Sequence, residues 1–380
     1  MKQDLSLYIH IPFCKKKCFY CDFCSAVSTS DKKEQYIQLL LSELETYAKL
    51  HTQSTIKTIF IGGGTPSTLP PHLFNKVFSK IHQHFTIAAN AEISVEVNPE
   101  SATIDFLHTL KQNGVNRLSF GVQSFNDEIL KKIGRAHNSK TAVQAIKNAQ
   151  NMGFNNINLD LMYGLPGQTL EDYQHSLQIA LSLNILHISA YNLIVEEDTV
   201  LKKQLQNNLI TIPTEDLQIQ MYELGKEILA QNGFHQYEIS NFAKEGYECK
   251  HNLCYWQRGS YLGVGQSAHG FIKDNLPFRY YHSRRFVEYQ AEIEKESYPN
   301  KQYISKEDAM FETIMLGLRL VKGFDLNIFK EEFQIDFCEY YKLALQKLQE
   351  QNLLNIQNNR VFLSDKGLKL QNQVLLEFMQ

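Results

Sequence analysis

The first 200 residues alternate between short apolar segments and longer amphipathic ones. The short segments are rich in Ile, Val, Leu and aromatic residues, and several end in Gly or Pro, which is typical of buried strands. They predict six strands, at Leu5–His10, Ile56–Ile61, Glu92–Val97, Val115–Gly121, Asn156–Met162 and His187–Val195.

The segments between these strands have the spacing of helices. Asp31–Leu50 carries apolar residues close to every third or fourth position, and both Ser101–Asn113 and Lys140–Met152 stop at a glycine. Thr169 with Asp172 fits a capping box for the next helix. Six β-then-α units predict a parallel α/β sheet with right-handed crossovers. Because a closed barrel needs eight units, we expect a partial (β/α)6 barrel, with a doubly wound sheet as the alternative.

The pattern of apolar and polar residues changes along the rest of the chain, and this change predicts three parts. Residues 1–200 form the core barrel, residues 201–300 an extension that alternates less regularly, and residues 301–380 a small, mainly helical domain. Near the end, Leu354–Ile356 and Val361–Leu363 flank a polar turn and predict a hairpin. Helices followed by a small hairpin resemble a winged helix.

Composition and charge narrow the function. The 380 residues are 43% hydrophobic and 21% charged, with a net charge of −3, so no basic field favours nucleic acid as a partner. No apolar run approaches the roughly 20 residues that span a bilayer. Met1–Asp4 leads directly into the first strand without the pattern of an export signal, so a cytoplasmic location is expected.

Four of the seven cysteines lie in the loop after the first strand. Cys14, Cys18 and Cys21 can hold three irons of a [4Fe–4S] cluster and leave the fourth iron open for a reactant. Lys15–Lys17 are expected to lower the pKa values of the thiols and to offset the charge of the cluster. The alternatives are a zinc site, for which Cys24 would be a fourth thiolate, and a plain electron-transfer cluster.

The C-x3-C-x2-C spacing after a first strand resembles the radical S-adenosylmethionine (SAM) superfamily. In that superfamily the open iron chelates the amino and carboxylate groups of SAM, which reduction cleaves to a 5′-deoxyadenosyl radical. The segment Gly62–Pro66 is similar to the GGGTP motif of these proteins, which contacts the methionyl amino group. The resemblance therefore implies that Gly63, Gly64 and Thr65 bind SAM.

Further polar residues at strand ends extend the resemblance. Tyr8, Glu96, Gln123, Arg135 and Asp160 match the SAM-binding pattern of one family, although each alone is more often a cap or a structural group. That family groups oxygen-independent coproporphyrinogen III oxidases with the heme chaperones called HemW. The matching segments, which belong to a resemblance over essentially the whole chain, are Tyr8–Cys14, Gly121–Phe125, Gly134–His137 and Asp160–Gly167.

Two features separate the branches of this family. The oxidases carry a further cysteine two residues after the third cluster cysteine, where this chain has Phe23, as HemW-like proteins do. Cys24 stands one place further on, where its side chain is expected to point elsewhere. The oxidases also have a longer arm before the first strand. The resemblance therefore favours a heme chaperone, with oxidative decarboxylation of coproporphyrinogen III as the alternative and a radical enzyme on another substrate as a third reading.

A motif near the middle of the chain also favours the chaperone branch. The segment His251–Trp256 (H-N-x-x-Y-W) resembles a heme-binding motif of HemW-like proteins. It offers an imidazole for iron and aromatic faces for a porphyrin. On the local pattern alone, His251 would be a hydrogen-bonded structural histidine. Cys249 and Cys254 could supply a thiolate instead, and the role of His269 is undetermined.

The resemblance implies three cofactors or ligands, namely a [4Fe–4S] cluster, SAM and heme. The implied partners are heme-accepting proteins of unknown identity. A homodimer and a peripheral contact with membrane hemoproteins are compatible with it, and enzymatic activity stays open.

Overall fold

Six parallel strands form the centre of the computed structural model, which describes residues 4–379. They lie side by side in chain order, which confirms the predicted six β/α units. The strands are β1 (Asp4–Ile11), β2 (Thr55–Gly63), β3 (Thr86–Val97), β4 (Arg117–Gln123), β5 (Asn156–Tyr163) and β6 (His187–Asn192).

Helices connect these strands at the predicted places. Four of them are capped at the N-terminus by a side chain, including the predicted capping box of Thr169 and Asp172. The helices are α1 (Ser30–Leu50), α2 (Pro71–His84), α3 (Ile104–Gln112), α4 (Asp127–Lys132), α5 (Ser139–Asn151) and α6 (Leu170–Ser182), with 3-10 turns at Pro66–Thr68 and Pro99–Ser101.

The two faces of the central sheet differ in chemistry because side chains alternate along a strand. One set of alternate positions is apolar, and in β1 it buries Leu5, Leu7, Ile9 and Ile11 in the main hydrophobic core. The other set is polar and defines what we call the inner face. The buried polar residues of this face are Ser6, Thr58, Glu92, Ser94, Arg117, Ser119, Asn158, His187 and Ser189.

The sheet is wider than six strands because residues 235–303 add strands at both of its edges. On one side β7 (His235–Glu238) and β8 (Asn241–Ala243) lie beside β6, and on the other β9 (Tyr261–Val264) pairs in parallel with β1. Beyond β9 lie β10 (His269–Ile272), β11 (Phe278–Tyr281) and β12 (Gln302–Tyr303). The helices between β6 and β12 are α7 (Val200–Gln206), α8 (Glu215–Gln231), α9 (Lys250–Trp256) and α10 (Phe286–Ile293).

The C-terminal part is mainly helical and contains the predicted hairpin. Its strands form a separate antiparallel sheet, and a second hydrophobic core lies beneath them. The hairpin turns at Asn358 and Asn359, both with positive φ, as a tight two-residue turn requires. The elements are α11 (Lys306–Gly317), β13 (Phe324–Asp325), α12 (Leu326–Phe333), α13 (Phe337–Tyr340), α14 (Lys342–Glu350), β14 (Leu354–Gln357), β15 (Arg360–Leu363), α15 (Asp365–Lys369) and α16 (Gln371–Leu376).

Within residues 4–379, no helix combines the length and the apolar character needed to cross a membrane. The boundaries at residues 200 and 300 stay predictions.

Candidate functional site

The three predicted cluster ligands lie on one loop between β1 and α1. Cys14, Cys18 and Cys21 are free and half-buried. The loop is closed at its base, where the Cys14 amide donates to the carbonyl of Ala26 at 3.0 Å. A further bond from the Cys21 amide to the Cys18 carbonyl, at 3.3 Å, folds the loop back on itself. The thiols are therefore held near one another before any metal binds.

Two of these sulfurs accept hydrogen bonds from residues on other loops. The Thr65 hydroxyl lies 3.4 Å from the Cys14 sulfur, and Arg135 Nη1 lies 3.3 Å from the Cys18 sulfur. Asn98 joins the two donors, since it donates to Thr65 Oγ1 and accepts from Arg135 Nη2, both at 2.8 Å. Donors placed in this way stabilise sulfur in its thiolate form.

The lysines near the cysteines have a weaker effect than the sequence predicted. Lys17 does lower the pKa of the Cys21 thiol, but burial outweighs it and the net pKa is raised. Lys15 donates to the backbone carbonyl of Glu100 at 2.7 Å, and this hydrogen bond restrains the position of the cysteine loop.

A cavity of about 120 Å³ lies in front of the cysteine loop. Nearly all of the residues predicted from the sequence line it, together with Asn98 and Ser119, which the sequence did not single out. The predicted residues found there are Cys14, Cys18, Cys21, Gly63, Gly64, Thr65, Glu96, Gln123, Arg135 and Asp160. Tyr8 and His251 do not line this cavity.

The glycine segment approaches the cysteine loop too closely for side chains. The Gly64 amide donates to the Ile11 carbonyl at 2.9 Å, and a Cβ on Gly64 would lie 2.8 Å from the Phe13 oxygen. Gly63 has a φ of +107° and donates its amide to Glu96 Oε2 at 3.1 Å. Glycine is thus required here both for close approach and for backbone conformation.

Two carboxyl groups give the cavity its charge. Burial, reinforced by the neighbouring Asp160, raises the pKa of Glu96 to about 7. Burial also raises the pKa of Asp160. The hydrogen bond that Asp160 accepts from Asn158 at 2.7 Å lowers this pKa but does not offset burial. Arg135 and Gln123 complete the polar lining, so the cavity offers carboxylates and a cation to a zwitterionic ligand.

These residues fit a [4Fe–4S] cluster with one iron left to a small ligand. Three sulfurs on one loop, two of them with hydrogen-bond donors, are the ligand set of such a cluster. A four-coordinate zinc site would need a fourth ligand, and Cys24, the candidate fourth thiolate, does not line this cavity. Cys24 faces away, because its sulfur donates to the Arg284 carbonyl at 3.7 Å.

A second cavity of about 630 Å³ adjoins the first. Phe23, whose side chain is 68% exposed, lines both of them. Tyr8 lines the larger cavity and contacts His10 at 3.0 Å. The remaining wall combines aromatic, charged and apolar side chains, and much of it comes from α9, from the hairpin of β9 and β10, and from α11.

His251 is buried behind this cavity and does not line it. Its Nδ1 lies 2.7 Å from Thr58 Oγ1, and its Nε2 lies 2.8 Å from the hydroxyl of Tyr255. Its ring stacks on Phe60, and burial lowers its pKa to about 3. Tyr255, by contrast, does line the cavity. The structure thus connects His251 to the cavity through Tyr255, while heme contact by His251 itself stays a prediction.

Comparison with known proteins gives two family matches. Residues 8–180 match the Radical SAM superfamily, and residues 304–370 match the HemN C-terminal domain. A heme chaperone HemW of Bacillus subtilis (strain 168) is 38% identical over 98% of this chain and 99% of its own length. A second, from Lactococcus lactis subsp. lactis (strain IL1403), is 35% identical over 100% and 98%.

Among solved structures, coproporphyrinogen III oxidase (HemN) from Escherichia coli, described as a radical SAM enzyme, superposes with a TM-score of 0.87. It covers 99% of this chain and 90% of its own, at 24% identity, and so shows a shared fold. The fold and the cysteine loop define a radical SAM protein. Within that superfamily the chain belongs to the HemW family.

The raised pKa of Glu96 predicts a pH dependence for SAM binding. Because SAM carries a positive sulfonium, its affinity should fall as Glu96 is protonated, from pH 8 down through about pH 7 to pH 6. One proton changes the affinity by at most about tenfold per pH unit. Equilibrium dialysis of anaerobically reconstituted protein measures it.

The matched control is Glu96→Gln, which keeps the shape but not the charge. Any pH dependence that remains in this variant comes from SAM or from other groups. If the SAM affinity changed equally with pH in the wild-type protein and in Glu96→Gln, the assignment to Glu96 would be contradicted.

Proposed function

We propose that this protein is a heme chaperone, which binds heme reversibly and passes it to an acceptor protein. The observation that carries the proposal is the identity to HemW proteins over the whole chain. The cavity of about 630 Å³ beside the cysteine loop supports it, because its size lies in the range of sites that enclose a small molecule.

The residues of the smaller cavity have distinct proposed roles. Cys14, Cys18 and Cys21 hold the cluster, which in this superfamily supplies an open iron for SAM. The residues that would bind SAM are Gly63, Gly64, Thr65, Glu96, Gln123, Arg135 and Asp160. Tyr8, on the larger cavity, would contribute from the other side. His251 would act on heme by fixing the position of Tyr255.

The oxidase alternative has less support. Phe23 is exposed at the position where the oxidases are expected to carry a further cysteine, so no thiol faces the cavities from that position. The solved oxidase shares the fold at 24% identity.

We further propose a cytoplasmic location, heme-accepting proteins as partners and no nucleic-acid partner. A homodimer and a peripheral contact with membrane hemoproteins belong to the same proposal. So does the division into a core barrel (residues 1–200), an extension (201–300) and a C-terminal domain (301–380).

A heme titration tests the proposed function. Anaerobically reconstituted protein should bind heme saturably, near one heme per chain, as followed by Soret absorbance. The bound heme should then move to an excess of apomyoglobin, because a chaperone must release its cargo. An absence of saturable binding would contradict the proposal, and the conversion of coproporphyrinogen III would then be assayed.

A further inference from the structure

Aromatic side chains contribute to the wall of the larger cavity, which suits a porphyrin. Tyr255 and Trp256 come from α9, and Tyr261 and Phe271 from the β9–β10 hairpin. Glu312, Met315 and Leu316 close the cavity from α11 of the C-terminal domain. Aromatic rings bury large areas against a planar ligand with little loss of side-chain entropy.

Histidine is a common axial ligand of heme iron, and two histidines line this cavity. His10 is engaged, because its Nε2 donates to the Cys24 carbonyl at 2.9 Å and its Nδ1 lies 3.0 Å from the Tyr8 hydroxyl. His269 differs, since no hydrogen bond within residues 4–379 involves its ring nitrogens.

The surroundings of His269 suit a ligand. Its ring stacks on Tyr281, with centroids 5.6 Å apart and an angle of 25° between the planes. His269 is exposed at the cavity, and partial burial of its ring lowers its pKa, which favours the neutral form that binds a metal. Burial raises the pKa of Cys24, the thiol that also lines the cavity, so that thiol stays protonated and competes poorly.

Two buried donors in the same wall have no acceptor among residues 4–379. They are Arg258 Nη2 and Trp256 Nε1. Arg258 is otherwise paired, through Nε to Glu312 at 3.2 Å and through Nη1 to Glu332 at 2.7 Å. Both atoms are covered by protein, and buried donors without partners are costly, so a ligand whose binding shifts these side chains would gain by supplying the acceptors. The propionates of heme carry suitable carboxylate oxygens.

We propose that this cavity is the heme site, that His269 supplies the axial ligand to iron, and that Arg258 and Trp256 receive a propionate. The inference rests on the proposed function and adds the site to it. It moves iron ligation from His251, whose ring nitrogens are both engaged, to His269.

The His269→Ala variant tests the axial ligand. Heme affinity should fall by at least about tenfold, and the Soret and visible bands should shift to those of heme without the native histidine ligand. Free imidazole, which can enter the space left by the side chain, should restore the wild-type spectrum. The matched control is His72→Ala. His72 lies on α2, does not line the cavity and, within residues 4–379, pairs with exposed Glu34 at 3.8 Å. This variant should change neither the heme affinity nor the spectrum.

The outcomes separate the inference from the proposed function. If wild-type protein binds heme and His269→Ala keeps the wild-type spectrum, the axial assignment is overturned and the chaperone function stands. If wild-type protein binds no heme, the proposed function itself fails. Far-ultraviolet circular dichroism and unchanged iron and sulfide content show that the variant has folded. Should it not fold, His269→Gln, which keeps a polar side chain, repeats the spectral test.

A second measurement tests the propionate contacts. Wild-type protein should bind heme roughly 2- to 10-fold more tightly than heme dimethyl ester, in which both carboxylates are blocked. Trp256→Phe keeps the aromatic wall but removes the donor, so this preference should shrink. An equal preference in the two proteins would overturn the role of Trp256, and equal binding of heme and ester by wild-type protein would overturn propionate recognition.

Discussion

Replacing any one of Cys14, Cys18 and Cys21 with alanine is expected to reduce the bound iron and acid-labile sulfide to near zero. Each thiolate would hold one iron, and the fourth iron would have no protein ligand to compensate for a loss. Cluster assembly contributes binding energy that the variant cannot recover from a neighbouring thiol, because Cys24 bonds to the Arg284 carbonyl and faces away. Iron and sulfide assays with visible absorbance measure the result.

The control variants are Cys24→Ala and Cys338→Ala, which remove free, half-buried thiols outside the cluster set. Both should keep the full cluster content. If Cys24→Ala lost the cluster while Cys21→Ala kept it, the ligand set derived above would be wrong.

The second large effect is expected for Gly64→Ala, which should weaken SAM binding by up to about 100-fold. The new Cβ would lie within 2.9 Å of three backbone atoms, namely those of Ile11 and Phe13 in the cysteine loop. Backbone atoms cannot rotate away as side chains do, so the two segments must separate at a cost of about 1–3 kcal/mol. Separation would also stretch the bond from the Gly64 amide to Ile11, so the cluster content should fall as well.

Gly246→Ala is a matched control for this change. Nothing lies within 4 Å of a Cβ at Gly246, although its φ of +81° makes alanine cost about 1 kcal/mol. This variant should lose a little stability but keep SAM affinity and cluster content. If both variants lost SAM affinity equally, close approach would not be the reason for glycine at position 64.

The strands of the barrel could be predicted because each one is short, apolar and bounded by turn residues. β5 and the first residue of β6 were placed to within one residue. The start of β3 was missed by six residues, because Thr86–Ala91 pairs with β2 through a shift in register that leaves no pattern in the sequence. Likewise, β9 is a four-residue strand whose partner β1 lies some 250 residues away.

The site was predictable where its residues form contiguous motifs. The cysteine loop and the glycine segment carry their own spacing, and both line the smaller cavity as expected. Asn98 was missed, although it directly follows β3 and continues the alternation that places Glu96 at the site, which is a usable signal. The burial of His251 depends on Thr58, and no local pattern encodes a contact over 193 residues.

Phe23 forms a shared wall of the two cavities, so binding in one cavity is coupled to binding in the other. Phe23 belongs to the loop that carries the cysteines, and its side chain borders both spaces. A change of the loop on loss of the cluster would therefore alter a surface of the proposed heme site. By thermodynamic reciprocity, heme binding must then change the affinity for the cluster by the same factor by which the cluster changes the affinity for heme.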